Sequence, residues 1–409
     1  MDAKHKEDLR LWVGITHPRM AYEKVDANEI LNSLINQVYN KAFDREFDFR
    51  VPIKLVDDPE VAHFIFKNPQ IFEKNYDFFE SLGRGRFSSN GDDWALRKEI
   101  TQSFFTNATK VLNQEDIYAI YSNIFKEQVN LNHTNLYDNL INAAIEIISR
   151  SFGLKSSVPW PSNYVRSLRD LLKRHQAISW AENFDVEAFS LNRILINQTF
   201  QSIKNLWQEN AELSSFLKKM DKNASGIKNF DASEELMQNL LASSETVASS
   251  VLWIIENATR YSNLFKNISE ADIDLFILEC LRLYPPVPFV TRVCNEDHEF
   301  GKMIFKKNES VIISIVGIHT HPNFWREPSE FNPMRKEFIE DNFNRLAYIP
   351  FLSGPRVCAG MKLANNEIRC GLKAFFGLFR VIQCDEKRKF DYGISSKPGI
   401  HLEKYLIRI

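Results

Sequence analysis

The stretch PFLSGPRVCAG, Pro350–Gly360, limits the possible folds of this chain more than any other segment. It sets Cys358 between Gly354 and Gly360, two residues after Arg356, and the following MKLANNEIRCGLKAFFGLF reads as a helix that begins just beyond the cysteine. Glycine serves where a backbone turns tightly or lies against another group, so both glycines are expected to permit a turn here. Amide groups in such a turn, together with the positive end of the next helix, would stabilise a thiolate that binds a metal. Arg356 would aim a guanidinium at an anionic partner. Taken alone, Cys358 reads equally as a structural cysteine in a glycine-rich turn.

The remaining cysteines, Cys280, Cys294, Cys370 and Cys384, bring the total to five, crowded into the last third with no CxxC pair. That pattern suits neither a disulfide scaffold nor a zinc site. At 409 residues and 44% hydrophobic content the chain can bury a sizeable core. A net charge of -2 argues against a protein built to coat nucleic acid or an anionic membrane. No apolar run approaches the roughly 18 to 20 residues that span a bilayer, and the N-terminal MDAKHKEDLRLW is charged where a signal peptide is apolar. The expectation is a cytoplasmic protein without a membrane anchor, and no repeat or linker divides residues 1–409 into more than one domain.

From about Asn107 to Asn267 the periodicity is repeatedly helical, as in NLYDNLINAAIEIISRSF, where Leu136, Leu140, Ala143, Ala144 and Ile147 share a face. The prolines of SSVPWPSN interrupt it. Strands are expected in FDFRVPIKLV, ESVIISIVGI and GIHLEKYLIRI, which makes the fold class mainly α (α+β), helix-rich with minor sheets. The 32 phenylalanines imply an aromatic interior. One long helix is expected after Asp231, with Asp231 and Glu234 forming a capping box. Its small-residue run ASSETVASS allows either a flat ligand or another helix to approach closely. Glu279 and Arg282 share a face of an apolar helix, and a buried ion pair there needs further hydrogen-bonding partners.

As a whole string, FLSGPRVCAG resembles the haem-binding signature of the cytochrome P450 family at Phe351, Gly354, Arg356, Cys358 and Gly360, and the likeness extends to Ala364 and Glu367. Leu352 departs from it, standing where the family often has glycine. The resemblance implies a single helix-rich P450 domain over 1–409, haem b (iron protoporphyrin IX) as cofactor and Cys358 as axial ligand of the iron. Glu279 and Arg282 then match the family's Glu-x-x-Arg motif, and Arg335 in EFNPMRKEF completes a structural triad. Ala242, Glu245 and Thr246 match the distal-helix pattern, with Ala242 at the haem face, Thr246 bonding dioxygen or water and Glu245 relaying protons. Ser243 replaces the family's glycine and is expected to bond the carbonyl four residues back. Trp94, Lys98 and Arg292 would join Arg356 at the haem propionates, with Arg97 an alternative to Lys98. Val287, Phe289, Val290 and Thr291, together with Phe78, Phe79 and Leu82, would approach the substrate.

The implied reaction is insertion of one oxygen atom from O2 into a small apolar organic substrate. Electrons would come from a ferredoxin or flavodoxin with its NAD(P)H reductase, docking on Lys362, Asn366, Arg369 and Lys373 of the helix after Cys358, unless that stripe is only a solvated face. The short interval from Thr246 to Glu279 resembles the compact soluble members of the family, and a monomer is expected. The alternatives are a peroxygenase driven by hydrogen peroxide, against which Glu245 and Thr246 speak, a haem-binding sensor without turnover, and a rearrangement or coupling enzyme.

Overall fold

The computed structural model describes residues 53–127, 136–180, 185–267, 269, 272–392 and 395–409. The charged N-terminal stretch and residues 47–52 of the first expected strand lie outside them. The helical region resolves into Gln114–Glu127, Leu136–Ser151, Ser162–Trp180, Val186–Glu209, Ala211–Asn223 and Ala232–Arg260. In Leu136–Ser151 the five apolar residues named above are all buried, as their spacing requires. Polar side chains start several of these helices: Asp185 accepts from the Ala188 amide at 2.9 Å and Asn210 from the Leu213 amide at 2.9 Å.

The long helix Ala232–Arg260 runs through the largest apolar cluster, where Leu236, Leu240, Val247 and Val251 meet Leu140, Ile147 and Leu372. Asp231 caps it, accepting from the Ser233 and Glu234 amides at 2.7 and 3.3 Å. The reciprocal arm of the expected capping box is replaced: the Glu234 carboxylate takes the backbone N–H of Arg84 at 2.9 Å.

The largest sheet orders its strands Ile53–Val56, Ser310–Ser314, Phe289–Cys294 and Phe72–Glu73, the first pair parallel and the others antiparallel. The strand expected to fill ESVIISIVGI stops at Ser314, because the Ser314 hydroxyl accepts from the Gly317 amide at 2.9 Å and starts the short helix Ile315–His319. At the C-terminus, Leu406–Arg408 pairs antiparallel with Phe379–Val381. Among the described residues no helix is long and apolar enough to cross a membrane.

Glu279, Arg282 and Arg335 meet in one buried cluster. Glu279 accepts from Arg282 Nε and Nη2 at 2.7 and 2.9 Å, from Arg335 Nε and Nη2 at 3.2 Å, and from the Asn332 amide at 2.8 Å. The other arms of the guanidiniums go to main-chain carbonyls: Arg282 to His319 and Pro328 at 2.9 and 2.7 Å, and Arg335 to Glu330 at 2.8 Å. His319 carries the link onward. Its Nε2 accepts from the Ile349 amide at 2.8 Å, so Nδ1 holds the proton and donates to the Arg282 carbonyl at 3.1 Å. Ile349 immediately precedes the segment Pro350–Gly360.

That arrangement needs a neutral imidazole, since imidazolium would set an N–H against the Ile349 N–H. Burial pulls the His319 pKa down from 6.5 to about 3. The unfolded chain takes up the proton near 6.5 and the folded chain near 3, so this contribution to stability is complete above 6.5 and lost as pH falls between the two. Thermal unfolding across that window should show a stability loss of up to roughly 1.4 kcal/mol per pH unit from this group. His319→Gln should be less stable at pH 7 and have a shallower slope; an unchanged slope would refute the assignment. His175, whose pKa burial lowers to about 4, contributes equally to both proteins.

Candidate functional site

The cysteine segment is shaped by two residues with positive φ. Gly354 has φ +72, and a Cβ there would lie 2.3 Å from the carbonyl oxygen of Phe66, so the loop rests directly on the end of the helix Pro59–Lys67. Leu352, at φ 63, is a leucine in the left-handed region, held by its side chain against the apolar cluster behind the sheet. The Cys358 amide donates to the Phe351 carbonyl at 3.0 Å and closes the loop. The expectation that Gly360 also serves the turn is corrected: its φ is -90, and a Cβ would meet only the Phe105 ring, at 4.0 Å.

Helix Met361–Phe376 starts next, and the amides of Gly360 and Met361 lie close enough to the Cys358 sulfur to favour its thiolate. Burial pushes the Cys358 thiol up, while these amides and the charges of Lys74 and Arg86 pull the other way. The residue is exposed by surface area although its sulfur is crowded enough for burial to dominate, so its open surface faces an interior cleft.

Cations gather around that cleft. Arg356 lies over the Trp94 ring at 4.4 Å and donates to the Ser89 carbonyl at 2.7 Å, and Lys98 covers the same ring at 5.0 Å. Arg292 is buried, donating to the Thr291 carbonyl at 2.7 Å. Burial and then Arg292 lower the Arg356 pKa to about 10. Two cations that no motif marked join them. Lys74 donates to the Phe87 carbonyl at 2.8 Å, and burial followed by the charges of Arg356 and Arg292 lowers its pKa well below the ordinary range. Arg86 donates to Thr101 and Gln102 at 3.2 and 2.7 Å. Their sequence trace is slight: basic residues interleaved with aromatics and glycines in EKNYDFFESLGRGRF. Arg97, the alternative to Lys98, leaves its Nη2 without a partner among the described residues. It is fully buried and engaged by Asp93 at 3.0 Å, Glu235 at 3.4 Å and the Arg84 carbonyl at 2.8 Å.

On the long central helix, Thr246 donates to the Ala242 carbonyl at 2.8 Å. Ser243 bonds the Leu240 carbonyl three residues back, at 3.2 Å, and it is Ser244 that reaches four back, to the same carbonyl at 2.7 Å. Glu245 points at the neighbouring helices: its carboxylate pairs with Arg169 and accepts from the Tyr137 hydroxyl at 2.5 Å. Neither partner carried a sequence signal. Burial, followed by the Glu245 charge, pushes the Tyr137 phenol well up.

Phe79 and Leu82 are buried in the same apolar cluster as Val247 and Ala248 of the central helix. Phe289 is buried, Val287 is partly buried against the sheet-side cluster, and Thr291 donates to the Asn75 carbonyl at 3.0 Å. Val290 packs into the sheet core with Val56 and Ile313. The Phe78 side chain lies outside the described residues. In the basic stripe, Lys362, Arg369 and Lys373 are exposed, but Arg369 pairs with Asp274 and Asn366 accepts from Gln114 at 3.4 Å.

The family model described as cytochrome P450 matches residues 273–403. Cytochrome P450 4F5 of Rattus norvegicus is 24% identical over 86% of this chain and 80% of its own length. A probable cytochrome P450 4s3 of Drosophila melanogaster is 23% identical over 80% and 77%. Among solved structures, a six-coordinated cytochrome P450 from Thermus thermophilus superposes with a TM-score of 0.65 at 20% identity, covering 87% of this chain and 91% of that one.

The two glycines of the loop should therefore behave differently. Gly354→Ala, strained in φ and driven into the Phe66 backbone, should destabilise the haem-free protein by about 2 kcal/mol or more in urea unfolding. Gly360→Ala should stay within about 0.5 kcal/mol. Equal effects would contradict the geometry described.

Proposed function

This chain belongs to the cytochrome P450 family and is an oxidoreductase with haem as its cofactor, and from that premise we propose that it inserts one oxygen atom from O2 into an apolar organic substrate. The observation that carries the reading is the Cys358 sulfur just ahead of a helix, beside the Gly360 and Met361 amides and facing a cleft around which Lys74, Arg86, Arg292 and Arg356 gather. The donor set fits haem b: one sulfur for the iron and a surplus of cations for two carboxylates. Among the described residues no group of three His, Cys, Asp or Glu side chains could hold a metal by itself. Cys358 would be the axial ligand, and Arg292, Arg356, Trp94 and Lys98, joined by Lys74 and Arg86, would hold the propionates, with Phe351, Gly360 and Ala242 against the ring.

Bound there, haem supplies the activation of dioxygen and the transfer of oxygen. The chain's own residues bind, orient and move protons. Phe79, Leu82, Val247 and Ala248 keep water from the apolar side and favour an apolar substrate. The Thr246 hydroxyl, anchored on the Ala242 carbonyl, keeps its oxygen free to accept a proton-bearing partner. Glu245 would deliver protons towards Thr246 after turning from Arg169 and Tyr137. An acidic ferredoxin or flavodoxin, reduced by its NAD(P)H reductase, would dock against the stripe of Lys362, Asn366, Arg369 and Lys373. A single-domain monomer in the cytoplasm completes the proposal, on the sequence expectations.

The test is the absorption spectrum of the dithionite-reduced protein under carbon monoxide. Wild type should show the long-wavelength Soret band of thiolate ligation, and Cys358→His should lose it while still binding haem. Haem-loaded wild type without that band would remove Cys358 from the iron and the monooxygenase reading with it.

A further inference from the structure

We propose that Glu235 is a positioning residue: through the loop Gly83–Asn90 it ties the long central helix to the cations that face Cys358, holding Lys74, Arg86 and Arg356 ready for the cofactor's carboxylates. The inference rests on the haem reading above and deepens it.

The loop is bonded on both sides. Towards the helix, the fully buried Glu235 accepts the Arg86 amide with both oxygens, at 2.8 and 3.0 Å, and also pairs with Arg97 at 3.4 Å. Glu234 takes the Arg84 amide at 2.9 Å, and Gln238 donates to the Gly83 carbonyl at 3.0 Å while accepting from Ser88 at 3.0 Å. Towards the cleft, the same loop presents the Phe87 carbonyl to Lys74 at 2.8 Å and the Ser89 carbonyl to Arg356 at 2.7 Å. The Asn90 side chain grips the Lys74 main chain at 2.9 and 3.0 Å.

Loop and helix lie so close that a side chain on either loop glycine would have to push aside the end of a helix side chain. A Cβ at Gly83, whose φ is +91, would fall 2.0 Å from the Glu234 carboxyl carbon, and one at Gly85 would fall 2.5 Å from Gln238 Oε1. Lys74, Arg86, Arg292 and Arg356 repel one another, and a loop carrying their acceptors would yield to that repulsion unless held from behind. Glu235 supplies the tether beneath the loop; burial raises its pKa, while the Arg86 amide and Arg97 favour its carboxylate. Such charge-assisted bonds to backbone amides are among the stronger ones available.

The test measures transfer of the prosthetic group from the holoprotein to excess apomyoglobin, for protein loaded with haem and with haem dimethyl ester, whose carboxylates are masked. Wild type should release the ester about tenfold faster than haem, the equivalent of one strong charged contact. Lys74→Met should narrow that ratio. Glu235→Ala should narrow it as far by speeding haem release alone, and the Arg84 and Arg86 amides should exchange hydrogen faster. Glu235→Gln, which keeps an acceptor for the Arg86 amide, should restore most of the ratio. Should Glu235→Ala not fold, Glu235→Asp, which draws the carboxylate back from the Arg86 amide, must give a narrowing of the same sign. If wild type releases haem and its ester equally fast, the cations do not hold the carboxylates and the reading underneath fails; if only Lys74→Met leaves the ratio unchanged, Lys74 is not held ready for them and the proposal is overturned. If Lys74→Met narrows it but Glu235→Ala speeds haem and ester equally, Glu235 is a general structural prop and the proposal is overturned.

Discussion

The Glu279 carboxylate, fully buried, is the contact on which the rest of the presentation of Cys358 depends. It binds two guanidiniums and a backbone amide, and the remaining arms of both guanidiniums fasten main-chain carbonyls between His319 and Glu330. A buried ion pair of this kind adds little net stability over an apolar replacement, whereas removal of one partner costs several kcal/mol. Its value lies in geometry. The knot aligns the Arg282 carbonyl on His319, His319 on the Ile349 amide, and Ile349 leads straight into the cysteine segment. The far side of that segment rests on Phe66 through Gly354, so the loop is held from two directions and Leu352 is kept in a conformation that leucine ordinarily avoids.

Behind the loop lie two electrostatic imbalances of opposite sign. Burial holds the Cys358 thiol towards its protonated form despite two amides and two cations. The cations nearby sit at a density that pulls the Lys74 and Arg356 pKa values down. A ligand that carried only negative charge would relieve the second and aggravate the first, and a bare metal cation would do the reverse. A metal inside a chelate with peripheral carboxylates relieves both, which is why haem fits these residues better than either component. Trp94 supports the arrangement by giving Arg356 and Lys98 an aromatic surface without neutralising them.

What the sequence made legible was local. The cysteine turn, the following helix, the Glu279–Arg282 pair and the Asp231 cap each depend on residues a few positions apart, and all of them form. The chain also states its apolar faces openly, as in Leu136–Ser151. Contacts made across long separations left no such trace. No motif singles out Lys74 and Arg86 until the fold brings them beside Arg292 and Arg356. Arg97 and Lys98 are adjacent, and only the helical rotation between them sends one to Glu235 and the other to Trp94. The ten-residue strand expected in ESVIISIVGI fails for a short-range reason that apolar content hides: one serine hydroxyl caps a helix in the middle of the run.

The pairing of Glu245 bears most directly on the proposed chemistry. A carboxylate this buried needs a partner for its charge, and Arg169 with Tyr137 provides one. For the proposed relay a group so paired would have to turn, and turning would leave Arg169 exposed to the same penalty. The structure lessens that penalty, because Arg169 is partly solvent-accessible and Asp138 lies 4.0 Å from another of its nitrogens, itself in contact with the exposed Arg166 at 3.1 Å. Turning would thus leave behind a cation that still has a carboxylate and water. In the proposed reaction, movement of Glu245 would be coupled to the helices Leu136–Ser151 and Ser162–Trp180, which carry its partners, and the timing of proton delivery would depend on their packing against the central helix.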